Sequence, residues 1–166
     1  MANFDLAIVK ILEKEGGATV TNISGDRGGL TKYGISQRSY PKIDIANLTE
    51  QGAKDIYMTD YWMKFRGNVI SDQIVAESIF CAAANMGVRT ASRLVQTALN
   101  EILAVDVAVD GMIGTKTIAA LNKCTKTVFI TTFTLGKIAY YAHICNKDRP
   151  QSKFLLGWIN RVLGGG

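Results

Sequence analysis

One histidine, two prolines and three cysteines among 166 residues leave little room for several common chemistries. His143 lies in a helical stretch beside Tyr140, Tyr141 and Ile144, so it reads as packed or solvated. Neither a Ser–His pair nor a His-rich zinc site is expected. Cys81, Cys124 and Cys145 are odd in number, widely spaced and set among apolar neighbours. Reduced core thiols are the expected reading, ahead of a disulfide framework. No stretch of about 18 uninterrupted apolar residues exists, so no membrane span is expected. No phosphate-cradling glycine motif is present, which argues against nucleotide chemistry. The acidic positions around Asp110 are too few for a calcium loop. No metal or other cofactor is expected. The opening Met1-Ala2-Asn3-Phe4-Asp5 does not line up a basic flank, an apolar run and a small-residue cleavage site, so no secretory signal is read and a cytosolic start is expected.

What is present is apolar and basic. A hydrophobic content of 48% suits one compact domain, or two lobes sharing a core. The net charge of +5 and pI near 9.2 favour polyanions, whether nucleic acid, anionic lipid or an acidic cell wall. The basic residues are scattered rather than gathered on one face, so nucleic acid is not expected as a partner. A plain solvated surface with a modest cationic excess is the competing reading.

Helical spacing dominates the chain. Asn3 is placed to cap a first helix whose stripe is Phe4, Ala7, Ile8, Ile11 and Leu12, with Gly16-Gly17 ending it. Residues 18–24 alternate β-branched positions, which fits a short strand or a plain loop. Thr31 to Tyr40 predicts a short helix that stops before Pro41. Leu48-Thr49-Glu50 reads as staple, cap and acidic first turn of a helix reaching about Phe65. Ser71 is expected to cap a helix burying Ile74, Val75, Ser78, Ile79, Ala82 and Ala83 and closed by Gly87; its alanine-rich faces make it the candidate central helix. Thr90 is expected to cap the next, with Ala91, Leu94, Val95, Ala98, Leu99 and Ile102 inward. Residues 105–114 read as a loop turning at Asp110-Gly111. Helices at 115–123, about 127–145 and from Asp148-Pro150 onward complete the chain. The fold class is therefore all-α, with a short irregular or β excursion near residues 17–31.

The stretch from Glu15-Gly16-Gly17 to Asp26-Arg27-Gly28-Gly29-Leu30-Thr31-Lys32-Tyr33-Gly34-Ile35 stands apart. A carboxylate sits where an amphipathic helix stops, and the glycine-rich segment after it carries an aspartate and a threonine. Glycine is used where backbone must approach a ligand, or simply where turns are tight, and spacing alone leaves both readings open. Read without any relative, Glu15 is an exposed helix-terminal acid, Asp26 a turn former and Thr31 a helix cap.

That stretch resembles the N-terminal signature of glycoside hydrolase family 108, the N-acetylmuramidases found among phage endolysins and related bacterial proteins. The resemblance continues through Tyr61-Trp62, Ala84-Asn85-Met86-Gly87, Leu94-Val95-Gln96-Thr97-Ala98-Leu99, the run from Val109 to Ile118, Phe154 and Gly157-Trp158-Ile159-Asn160-Arg161. It departs from the pattern by about two extra residues between Gly17 and Asp26, and by a smaller Ala83-Ala84 approach to Asn85. Asp110-Gly111-x-Ile113-Gly114 also resembles the turn of peptidoglycan-binding helical modules.

The resemblance implies a lysozyme-like muramidase, a single domain over 1–166, with a catalytic lobe at 1–90 and a peptidoglycan-binding-like lobe at 91–166 sharing the core. Glu15 becomes the proton donor, with Asp26 and Thr31 holding the attacking water, an arrangement that implies inversion. Tyr33, Gln37 and Asn85 become candidate substrate contacts, Asn85 having a helix-cap role as its alternative. Trp62 and Trp158 are read as core ahead of sugar platforms. The expected partner is bacterial peptidoglycan, with an anionic outer envelope or lipid as a second, engaged by the basic surface and the apolar last helix. A monomer is expected, made in the bacterial host's cytoplasm and acting on the periplasmic wall after the membrane is opened. A non-catalytic binding protein and a lytic transglycosylase are the alternatives.

Overall fold

Asn3 opens the first helix as its spacing requires, its Oδ1 accepting from the backbone of Asp5 at 2.7 Å and of Leu6 at 3.3 Å. Helix α1 (Phe4–Lys14) buries Phe4, Ala7, Ile8 and Ile11 along one stripe. The structure, a computed structural model, describes residues 1–14 (of Lys14 the backbone), 19–20 and 29–164. Glu15, Asp26 and most of the segment expected to be irregular or β lie outside these residues.

Where the chain is next described it forms a two-stranded antiparallel hairpin, β1 (Thr31–Lys32) and β2 (Ile35–Ser36), pairing Thr31 with Ser36 and Lys32 with Ile35. The helix expected over 31–40 is absent. Tyr33 and Gly34, at φ 53° and 76°, make a two-residue turn with both centres left-handed, the geometry that suits a tight hairpin and breaks a helix. Apolar spacing could not reveal this, because the turn is decided by backbone sign rather than by side-chain pattern.

Helix α2 (Glu50–Tyr57) starts as expected, Thr49 Oγ1 accepting from Gly52 N at 3.1 Å. It does not continue as α-helix to Phe65 but widens into a π turn over Met58–Trp62. The widening seats Trp62 among Phe4, Phe65 and Phe80, with ring centroids 5.3 to 5.8 Å away. Trp62 is 1% exposed and belongs to the core. Gly67 lies against it, and a Cβ there would stand 2.5 Å from the indole.

Helix α3 (Gln73–Met86) is the central element, buried nearly all round and packed on α1 and on later helices. Its cap is Asp72, which accepts from Val75 N; the expected cap, Ser71, bonds Asn122 instead. Ile74, expected inward, is 48% exposed in the first turn. Gly87 closes α3 as expected, and α4 (Val88–Leu103) begins immediately after it rather than at a Thr90 cap. Gly87 at φ 84° and ψ 147° makes the corner in one residue, so no cap is needed. Ala91, Val95, Ala98 and Leu99 are buried on α4, with Leu94 and Ile102 half-buried.

After a loop over 104–114 come α5 (Thr115–Lys123) and α6 (Lys126–Lys147), the latter burying Phe129, Phe133, Tyr141 and Cys145. A 3-10 turn (Arg149–Phe154) leads into α7 (Leu155–Leu163), which lies on α6 with Trp158 stacked on Tyr141 at 4.9 Å. Among the described residues the fold is thus mostly helical, as expected, with one very small sheet where a helix is expected. All three cysteines are free thiols, and burial raises the pKa of Cys124. Among the described residues, no helix is long and apolar enough to cross a membrane.

Candidate active site

Two structural features bear on the candidate residues. The first is the direction of α1. Gln73 at the start of α3 holds Asn3, accepting from its N–H at 2.7 Å and donating to its carbonyl at 3.1 Å. One turn along α3, Glu77 takes Lys10 Nζ at 2.6 Å. Gln73 Nε2 also donates to Glu77 Oε1 at 2.8 Å, so this mostly buried carboxylate is satisfied from two sides. The bond to Glu77 raises the pKa of Lys10. The two helices therefore run in the same sense, and the chain leaves α1 at Lys14 heading toward the C-terminal half of α3.

Asn85 stands on that half. Its Nδ2 donates to Cys81 O at 2.7 Å and its Oδ1 accepts from Arg161 Nη1 at 2.8 Å. The amide is held inside the last turn of α3, and the closing role falls to Gly87, whose N–H bonds Ala83 O. Arg161 comes from α7, so the last helix is tied to the end of the central one at this residue. Cys81, Ala82, Lys137 and Tyr141 line a small cavity of about 20 Å³ beside the pair. That volume accepts one water. Burial raises the pKa of the Tyr141 hydroxyl, opposed by the positive charge of Arg161.

The second feature is the hairpin. Thr31 is half-buried on β1, its hydroxyl 3.5 Å from Gly29 O. Tyr33 is mostly buried in the turn; its carbonyl accepts from Tyr57 Oη at 3.0 Å, which ties the hairpin to α2. Gln37 organises the segment beyond β2. Its Nε2 lies 2.9 Å from Ile43 O and 3.2 Å from Tyr40 O, so the amide donor serves the backbone and Oε1 is the atom left to offer. Tyr40 in turn donates to Asp60 Oδ2 at 2.9 Å on the π turn. Burial, with Tyr61 and Asp60 beside it, holds this phenol protonated well above its usual range. Thr31, Tyr33 and Gln37 thus sit on one hairpin braced against α2, whereas Asn85 belongs to α3. Among the described residues no cluster of metal-ligating side chains occurs.

Residues 8–87 match the family model described as glycosyl hydrolase 108, and residues 90–163 match one described as a predicted peptidoglycan domain. The segment 8–87 belongs to glycosyl hydrolase family 108. The chain is a glycoside hydrolase carrying a peptidoglycan domain, and peptidoglycan is its substrate and partner. Among solved structures, that of Brucella abortus SagA is 24% identical with a TM-score of 0.73, covering 97% of this chain and 94% of that one, a similarity of fold. No curated protein matches the chain.

Two residues of this glycoside hydrolase escape a reading of its sequence. Arg161 gives no signal as the partner of Asn85, because a contact across seventy-six positions has no local pattern. Gln96 does leave a trace, being a polar residue inside the apolar stripe of α4. It is 1% exposed and grips the turn at residues 110–112: Nε2 donates to Asp110 Oδ1 at 2.8 Å, and Oε1 accepts from Gly111 N at 2.8 Å.

Proposed function

We propose that this glycoside hydrolase cleaves the β-1,4 bond between N-acetylmuramic acid and N-acetylglucosamine, and does so by inversion. Glu15 protonates the leaving oxygen. Asp26 draws the proton from a water that the Thr31 hydroxyl orients on the opposite face, since a hydroxyl can donate and accept at once. Inversion asks for carboxyl groups roughly 6.5–9.5 Å apart, with room between them for that water. The observation that carries the reading is the course of α1. It ends one residue before Glu15, pointed along α3 toward Asn85 and Arg161, while Thr31 is fixed on a hairpin braced by α2. Asn85, its carbonyl oriented by Arg161, offers polar contacts to an N-acetyl group or sugar hydroxyl, with Tyr33 and Gln37 Oε1 on the hairpin side. Residues 1–90 act as the catalytic lobe and 91–166 as the wall-binding lobe of one monomeric domain.

As a phage endolysin, the protein would be made in the bacterial cytoplasm and reach the periplasmic wall once the inner membrane opens. Its basic surface and the C-terminal segment ending in α7, where Phe154, Leu156 and Leu163 are exposed, engage an anionic outer envelope. Dye release from anionic vesicles should fall when residues 148–166 are removed from a protein that remains folded; equal release rules the envelope contact out.

Proton NMR of a chromogenic or natural glycan during early turnover tests the central reading. The α-anomer should appear first from the β-linked substrate; first appearance of the β-anomer means retention. A product ending in anhydro-muramic acid, lighter by one water, would make the protein a lytic transglycosylase. Binding to sacculi without any product would make it an adhesive module.

A further inference from the structure

A cavity of about 550 Å³ opens where the segment after the π turn faces the start of α4 and the 110–113 turn. It contains none of the residues assigned to the chemistry. Lys64, Arg66 and Arg89 are exposed around it, and no described carboxylate lies within ion-pair distance of any of them. Asp110 is the acid on its wall, and its Oδ1 already receives Gln96 Nε2 and Met112 N, both at 2.8 Å. Three cations against one engaged carboxylate leave the cavity positive.

Its walls are fixed. Gly111, at φ 83°, packs against Arg89, so closely that a Cβ there would stand 2.6 Å from Arg89 Cγ. Gln96 clamps the turn from beneath. The remaining lining is aliphatic, from Val88, Met112 and Ile113, and no aromatic ring contributes. A sugar face has nothing here to stack on. A chain carrying free carboxylates next to short apolar side chains meets both the charge and the lining. In a wall polymer the stem-bearing glycan offers acetyl and lactyl methyls but no free carboxylate, and the peptide stems, with their alanine methyls and free carboxylates, supply both.

We infer that this cavity is a second binding site, which takes the carboxylate-bearing peptide stems of peptidoglycan. The identity of the polymer rests on the proposed function; the charge and shape of the site do not. The cavity would let the enzyme read the peptide decoration of a strand while the hairpin side handles its sugars.

Calorimetric titration of the full chain with a free stem tetrapeptide tests this, alongside the same peptide with its carboxylates amidated. The tetrapeptide should bind, and amidation should weaken it about tenfold or more, since hydrogen bonds to charged groups are the stronger class. Lys64→Gln with Arg66→Asn should weaken it similarly, asparagine being chosen because Arg66 has φ 58° and asparagine tolerates that region. Lys64→Gln alone, on an exposed side chain, gives a smaller loss in the same direction should the double variant misfold. No binding by the wild type, or affinity indifferent to amidation and to both variants, overturns the inference. Binding of polyglycerol phosphate but not of the tetrapeptide overturns it as well. Glu15→Gln should leave the titration unchanged. Peptide binding without hydrolysis therefore counts against the muramidase reading, and hydrolysis without peptide binding counts against this site.

Discussion

Gln96 holds a turn that the chain cannot hold by itself. Replacing it with leucine keeps the volume but strips partners from Asp110 Oδ1, Gly111 N and Met112 O. A lower midpoint in urea unfolding is expected, because the turn loses the bonds that hold it, although its exposed groups can turn to water instead. The same variant has a signature at Asp110, whose pKa is held below the usual carboxylate value first by the Gln96 bond and then by Met112 N–H. A depressed folded pKa contributes stability that is present above the unfolded value and lost as pH falls through the folded one. A carbon-13 titration should show the Asp110 carboxyl moving up toward its ordinary value in Gln96→Leu; an unmoved titration would remove Gln96 as the cause. Gly67→Ala makes a different kind of damage, because its new methyl has only the buried Trp62 ring to displace. Overpacking of this type costs about 1–3 kcal/mol, measurable by thermal unfolding.

At the scale of elements, the corner between α3 and α4 depends on one residue. Gly87 adopts φ 84° and ψ 147°, and a Cβ there would meet no atom within 4 Å. Gly87→Ala therefore has space but no backbone freedom, and about 1–3 kcal/mol of strain is expected, with no change of packing. Hydrogen exchange at the start of α4 should rise in that variant, while protection in α6 is kept. The π turn is a second device of this scale. It is invisible in the apolar spacing of α2, since adding one residue to a helical turn changes phase and not composition. The hairpin is hidden for a related reason: Tyr33 and Gly34 carry their information in the sign of φ, and tyrosine gives no hint of it. Where only apolar period matters, the elements are legible, and α5 falls on the very residues expected.

For the whole molecule, the two segments matched by different family models contribute to one hydrophobic core, with α3 at its centre. Glu15→Gln should abolish wall lysis while co-sedimentation with purified sacculi persists. Loss of both would point to misfolding, and persistence of both would dismiss Glu15 as the acid. With a net charge of +5, attachment to an anionic wall should also weaken as salt is raised toward about 0.5 M, since screening shortens the reach of surface charge. Co-sedimentation across a salt series reads this directly.

Sequence alone determined the fold class, the order of the main helices, the central place of α3 and the hydrolase family, because each is written as apolar period or as a run of residues along the chain. Tertiary structure decided that Asp72 rather than Ser71 caps α3, how α1 is aimed, that Arg161 reaches Asn85, and that three cations gather around one cavity. Those outcomes depend on distances between segments far apart in the chain, and a linear pattern holds no measure of such distances.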